Sequence, residues 1–186
     1  MGDRPTCKLT GIFMTHFDFK NLVLNTLGEK TSKTEGATLY SSFRTLNKGD
    51  VYILGLNPGG KDEGLTIEKS LQRIQDDSYN EYIAEWNTTA GQHPLQKNIN
   101  ELAKLFDQDI TSICASNLIF ERSKKADGIN SIYRDSERMG RYWKIHKQII
   151  MTVQPKIIIA FGNGVKISPY QFMKEKISDC NDEKSI

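Results

Sequence analysis

Asn57 stands where an apolar run, Val51-Tyr-Ile-Leu-Gly55-Leu56, breaks into Asn57-Pro58-Gly59-Gly60. Pro58 ends ladder pairing and pushes the residue before it into an extended conformation, which holds Asn57 at the carboxyl end of a strand. In open α/β sheets that edge is where ligands sit. Gly59 and Gly60 let backbone N–H groups approach a ligand with no Cβ in the way. Asn117 is the second candidate, in the run Ser112-Ile-Cys-Ala-Ser-Asn-Leu-Ile-Phe120, because one side-chain amide offers both a donor and an acceptor. An amide is no strong general base, so chemistry built on these residues rests on orientation and electrostatics. Arg122, Lys124 and Lys125 follow on the same edge and can hold phosphates. Plainer readings exist for each: Asn, Pro and Gly make ordinary turns, and a short charge run is commonly solvated surface.

The histidines carry less. His16 lies in the N-terminal segment, His93 precedes a proline, and His146 falls mid-helix beside Trp143; none has HxxxH or His-Cys spacing suited to a metal. Each reads as structural, with His93 kept open because a loop between helices can fold over a pocket. Cys7, Cys114 and Cys180 form no CxxC pair and are one short of an all-cysteine zinc or iron–sulfur site, so they read as reduced thiols. No metal and no cofactor is expected.

The elements that must position these residues follow from periodicity. Phe13, Phe17, Leu22, Leu24 and Leu27 space a helical lead-in over about 1–48. Strand one is Val51 to Leu56. A helix from Thr66, with Ile67, Leu71 and Ile74 on one face, and a second carrying Leu95, Ile99, Leu102, Leu105 and Phe106 separate it from strand two, Ile110 to Phe120. A helix from about Ser131 to Val153 ends at Gln154-Pro155, before strand three, Lys156 to Phe161, which stops at Gly162-Asn163-Gly164. From Ile167 the chain carries Tyr170, Phe172, Met173 and Ile177, then dissolves into polar residues with no fourth apolar strand. Strands alternating with helices predict a central, mostly parallel sheet covered on both faces, a three-layer α/β/α sandwich. At 186 residues the chain fits a single domain, 1–186, whose motif-bearing core spans about 50–165.

Composition bounds the partners. Twenty-five Lys and Arg against 23 Asp and Glu leave a formal charge of +2, so nucleic-acid contact needs a local patch rather than a global field. No N-terminal run has signal-peptide length and no segment approaches the roughly 20 apolar residues of a membrane span, which predicts a soluble, cytoplasmic protein.

Gly55-Leu-Asn-Pro-Gly59 after one strand, Ser116-Asn-Leu-Ile-Phe120 after a second, and Pro155-Lys-Ile-Ile-Ile-Ala-Phe-Gly162 as a third resemble, in order and spacing, the uracil-DNA glycosylase superfamily. The first motif is similar to the Gly-x-Asn-Pro-Gly form of the mismatch-specific and single-strand-selective glycosylases. The family's fourth strand, ending in a His-Pro-Ser-type motif whose histidine contacts the base, has no counterpart here; the only His-Pro pair, His93-Pro94, lies upstream of strand two.

The resemblance implies a monomeric DNA glycosylase that hydrolyses the bond between deoxyribose and uracil, or a related modified base, without metal or cofactor. Asn57 would position the attacking water. Gly55, Leu56, Pro58, Gly59 and Gly60 would line the base, and Asn117 would pair with O4 and N3–H of uracil. Arg122, Lys124, Lys125, Gly162 and Asn163 would meet the DNA backbone, and Tyr79, Tyr82 and Trp86 are candidate walls for a base flipped out of the duplex. Core packing is the alternative for at least two of those aromatics. Two other readings are a nucleic-acid- or nucleotide-binding module on the same fold without catalysis, and a small-molecule α/β enzyme. The latter lacks both the Walker ending and the GxGxxG spacing.

Overall fold

The computed structural model describes residues 14–59, 64–86, 89–123, 126–162, 164 and 167–182. Among these residues three strands, β1 (Val51–Gly55), β2 (Cys114–Asn117) and β3 (Ile157–Ala160), form one parallel sheet in the order β2-β1-β3. Among the described residues six α-helices accompany them: α1 (His16–Ser32), α2 (Ile67–Arg73), α3 (Pro94–Lys104), α4 (Ala126–Arg134), α5 (Ser136–Val153) and α6 (Pro169–Asp182). The α/β expectation holds. None of the described helices is long and apolar enough to cross a membrane.

β1 is the central strand and all five of its residues are buried, as an unbroken apolar run requires. Its side chains alternate between two cores. Tyr52 and Leu54 pack with Phe19 and Val23 of α1, Leu71 of α2 and Ile145 and Ile149 of α5. Val51 and Ile53 face the other way, onto Ile99 and Ala103 of α3. Helices therefore cover both faces of the sheet.

The outer edge of β2 is closed by an extended segment, residues 35–41, that runs antiparallel beside it through isolated bridges. Ala37 and Tyr40 N–H donate to Phe120 O and Ala115 O, and Arg122 N–H to Glu35 O. Gly36 is required there, because a Cβ would lie 2.1 Å from Phe120 O. This unanticipated cover brings Tyr40 to the carboxyl end of the sheet. β3 is an edge, and Ile157 remains 44% exposed.

Boundaries differ from expectation in three places. Strand two narrows to Cys114–Asn117 because Asp109 caps a 3₁₀ turn at Ile110–Ser112, and Leu118 to Phe120 stay fully buried without strand geometry. The single helix over 131–153 is two, since Asp135 accepts from Arg138 N–H and starts α5 afresh. The C-terminal segment forms α6 through Asp182 rather than dissolving at Ser178. The Gln154 stop is as expected: it takes a left-handed conformation before Pro155.

Two histidines are structural. His146 is fully buried on α5; Tyr52 OH pairs with its Nδ1 at 3.0 Å and its Nε2 pairs with Leu118 O at 3.1 Å. The tautomer that satisfies both carries its proton on Nε2. His16 pairs with Leu71 O and Gln75, tying α1 to α2. Cys114 is a free, buried thiol, pushed up to about 12 by desolvation.

Candidate functional site

A cavity of about 410 Å³ opens at the carboxyl end of the sheet. All three strands reach it: β1 through Asn57 and Gly59, β2 through Asn117 and Arg122, and β3 through Phe161. The segment along β2 adds Ala37 and Tyr40. The connection between α2 and α3 adds Glu81, Tyr82, Glu85 and Trp86, and His93 closes the wall at the start of α3.

Asn57 is held in one orientation. Its Nδ2 donates to Pro58 O at 2.9 Å and to Ser123 O at 3.1 Å. Both partners are carbonyl oxygens, so the nitrogen must face them and Oδ1 is left as the acceptor. No protein donor among the described residues occupies that oxygen. A water held there would be oriented, not deprotonated.

Asn117 is 2% exposed and its Nδ2 meets no acceptor within hydrogen-bond distance among the described residues. A buried amide nitrogen without a partner costs about 1–3 kcal/mol, which an acceptor on a ligand would recover. Room for the side chain comes from Gly55, its register partner across the β1–β2 pair. Tyr40 lies alongside. Burial pushes its hydroxyl up to about 12 and Glu81 adds to the shift, against the opposing influence of Arg122, the Gly59 N–H and the Asn117 amide. Tyr40 is therefore a neutral phenol at neutral pH.

The remaining walls are aromatic. Tyr40, Tyr82 and Trp86 meet pairwise with ring centroids 5.9–6.4 Å apart, and His93 stands edge-on to Trp86 at 5.4 Å. The connection bearing two of these rings is irregular, so its backbone needs other partners. Asn80 Nδ2 donates to Ile110 O, Gln96 Nε2 to Glu81 O and Ala84 O, and Asn100 Nδ2 to Tyr82 O. Three amides thus pin the wall onto α3 and the turn before β2. Glu81 then fixes the indole, accepting from Trp86 Nε1 at 2.8 Å and from Tyr79 OH at 3.0 Å.

The structure brings Asn57, Gly59, Asn117 and Arg122 together, along with Tyr82 and Trp86 and the open candidate His93. Gly55, Leu56, Pro58 and Gly162 are not lining residues. Gly55 clears space for Asn117, Leu56 packs against the core, Pro58 is buried, and Gly162, at φ +79°, sits where a Cβ would approach Leu56 Cβ to 3.0 Å. Tyr79 hydrogen-bonds to Leu39 O and Glu81 behind the wall. Gly60, Lys124, Lys125 and Asn163 lie outside the described residues.

Tyr40, Arg73, Glu81, Glu85 and Phe161 were not legible as site residues. Phe161 carries a signal, since it ends strand three as Asn57 follows strand one. Tyr40 carries none, because it comes from a segment with no regular secondary structure. No group of three potential metal-ligating residues exists among those described. The chain matches no family model, no curated protein and no solved structure.

Proposed function

We propose that the cavity receives a nucleobase extruded from DNA and that the protein hydrolyses its N-glycosidic bond, as a glycosylase of the uracil-DNA glycosylase kind. One observation carries the reading: two strand-end amides, Asn57 with an acceptor that meets no donor among the described residues and Asn117 with a buried donor that meets no acceptor among them, line a single aromatic-walled cavity. A planar heterocycle with an oxo group answers both features, stacking on the rings and accepting from Asn117 Nδ2.

In this reaction the bond between C1′ and the base nitrogen breaks with its electron pair leaving on the base. Water held by Asn57 Oδ1 forms the new bond to C1′ and releases its proton to solvent, and the base anion takes a proton from solvent. Catalysis then rests on orientation and on stabilising the two separated charges. Arg122 and Arg73, both on the lining, suit the flanking phosphates. On this reading the protein acts as a cytoplasmic monomer, with no metal or cofactor.

A second reading, base binding without cleavage, draws on Glu81: both oxygens of this lining carboxylate already accept hydrogen bonds, so it is poorly placed to serve as a base. Labelled oligonucleotides with one uracil opposite guanine, opposite adenine or unpaired, followed by alkaline cleavage, separate the two. Product that disappears in Asn57→Ala supports the glycosylase. Tight uracil-dependent binding without product supports the binding module, and neither product nor binding removes both.

A further inference from the structure

One short segment ties the cavity to the start of α5. Residues 121–123 carry Arg122 into the cavity wall, while the neighbouring Glu121 reaches α5 and accepts the Tyr142 hydroxyl. Arg138 Nη1 stands 3.6 Å from the same Glu121 oxygen. Because α5 runs back to the beginning of the parallel strand β3, its first turns lie at the carboxyl edge of the sheet, where the cavity opens.

Arg122, Arg138 and Arg141 share a feature: in each, the Nε donor is buried and meets no acceptor among the described residues. The acids around the two arginines of α5 are already engaged. Glu121 accepts from Tyr142, Asp135 caps α5 through the Arg138 backbone N–H, and Glu137 pairs with Arg141 Nη1 at 2.9 Å. Arg138 approaches Glu121 and Asp135 only to 3.6 Å, an ion-pair distance too long for a hydrogen bond. The Arg138 and Arg141 side chains are 31% and 33% exposed, so an anion can reach them from solvent. Three residues apart on one helix, they face the same way.

We propose that the DNA strand bearing the flipped base passes from Arg122 across residues 121–123 and is held beyond the cavity by a second phosphate site, Arg138 and Arg141 at the start of α5. This rests on the DNA-binding half of the glycosylase reading and not on cleavage. A phosphodiester supplies the acceptor oxygens that the guanidinium forks lack, in the planar geometry they match. The site adds affinity along the backbone and reads no base.

Salt titrations of binding to a fluorescent single strand carrying one uracil test the site. In Arg138→Gln/Arg141→Gln the slope of log affinity against log salt should shallow by about 1.4, the value for two lost phosphate contacts. KM for cleavage should rise with kcat unchanged, a split that a damaged fold does not produce. Lys104→Gln/Lys156→Gln removes the same charge at the amino end of the sheet and should leave the slope as it is. If the double arginine variant loses its cooperative melt, Arg141→Gln alone, which gives up only the pair with Glu137, should shallow the slope by about 0.7. An unchanged slope in the arginine variants, or an equal change in the lysine variant, overturns the site while cleavage by the wild type keeps the glycosylase. A shallower slope in the arginine variants of a protein that binds but cuts nothing keeps the site and removes the glycosylase, and a wild type that does not bind DNA removes both.

Discussion

Gly55 and Asn117 are register partners in the β1–β2 pair, and a Cβ on Gly55 would lie 2.4 Å from Asn117 Oδ1 and 3.0 Å from the Phe161 ring. The glycine at the end of β1 is a clearance rather than a hinge. It lets the amide lie across the strand end and lets Phe161 close over it.

Gly55→Ala should therefore displace Asn117 without touching the ligand itself. Overpacking of this kind costs about 1–3 kcal/mol in stability, and affinity for a uracil-containing oligonucleotide should fall tenfold or more. Urea melts and fluorescence anisotropy measure the two effects. Undiminished affinity in a folded Gly55→Ala protein would remove Asn117 from the recognition scheme.

Asn57 separates orientation from charge. On the glycosylase reading, Asn57→Ala should lower cleavage about a hundredfold by removing the acceptor for water, and it should also cost about 1 kcal/mol or more of stability as the Pro58 and Ser123 carbonyls lose their donor. Asn57→Asp should destabilise the fold by about 1–3 kcal/mol at neutral pH, because a carboxylate oxygen would face the Pro58 and Ser123 carbonyls where an N–H₂ now donates to both. Chemical denaturation at pH 7 checks the latter, and equal stability of Asn57→Asp and wild type would contradict the bonding described.

His146 sets a pH dependence away from the cavity. Desolvation holds its imidazole down at about 4 from an ordinary 6.5, despite opposing backbone contacts at Leu118 and Asn117. Between those values the unfolded chain binds a proton that the folded protein refuses, so stability rises with pH across the window. The contribution is full above about 6.5 and is lost as pH falls to about 4, a total of about 3 kcal/mol. Urea midpoints at pH 7.5 and 4.5 should show this step, and His146→Gln should flatten it while lowering stability at both.

The parallel sheet is legible in the chain because its three strands are short aliphatic runs ended by proline, glycine or asparagine, and burial on both faces demands that composition. Their flanks are less so. Ile110 to Phe120 is one apolar stretch, yet only Cys114–Asn117 pairs as strand: Asp109 turns its start into 3₁₀ geometry, and Leu118 to Phe120 are buried by tertiary packing that needs no ladder. Apolar periodicity reports burial, and burial alone does not separate a strand from a buried irregular segment continuous with it.

The site divides the same way. Asn57 and Asn117 are visible because each ends a strand, and the carboxyl edge of a parallel sheet collects such residues by geometry alone. The sequence by itself therefore determined the α/β class and the strand-end placement of the two amides, while the order of the strands, with β1 at the centre, came from the structure. Only the tertiary structure decided which wall faces the amides. Tyr40 arrives on a segment whose hydrogen bonds go to β2, and Trp86 and His93 arrive on a connection held by Asn80, Gln96 and Asn100. Those positions depend on long-range hydrogen bonds between irregular segments, which leave no periodic trace in the order of residues.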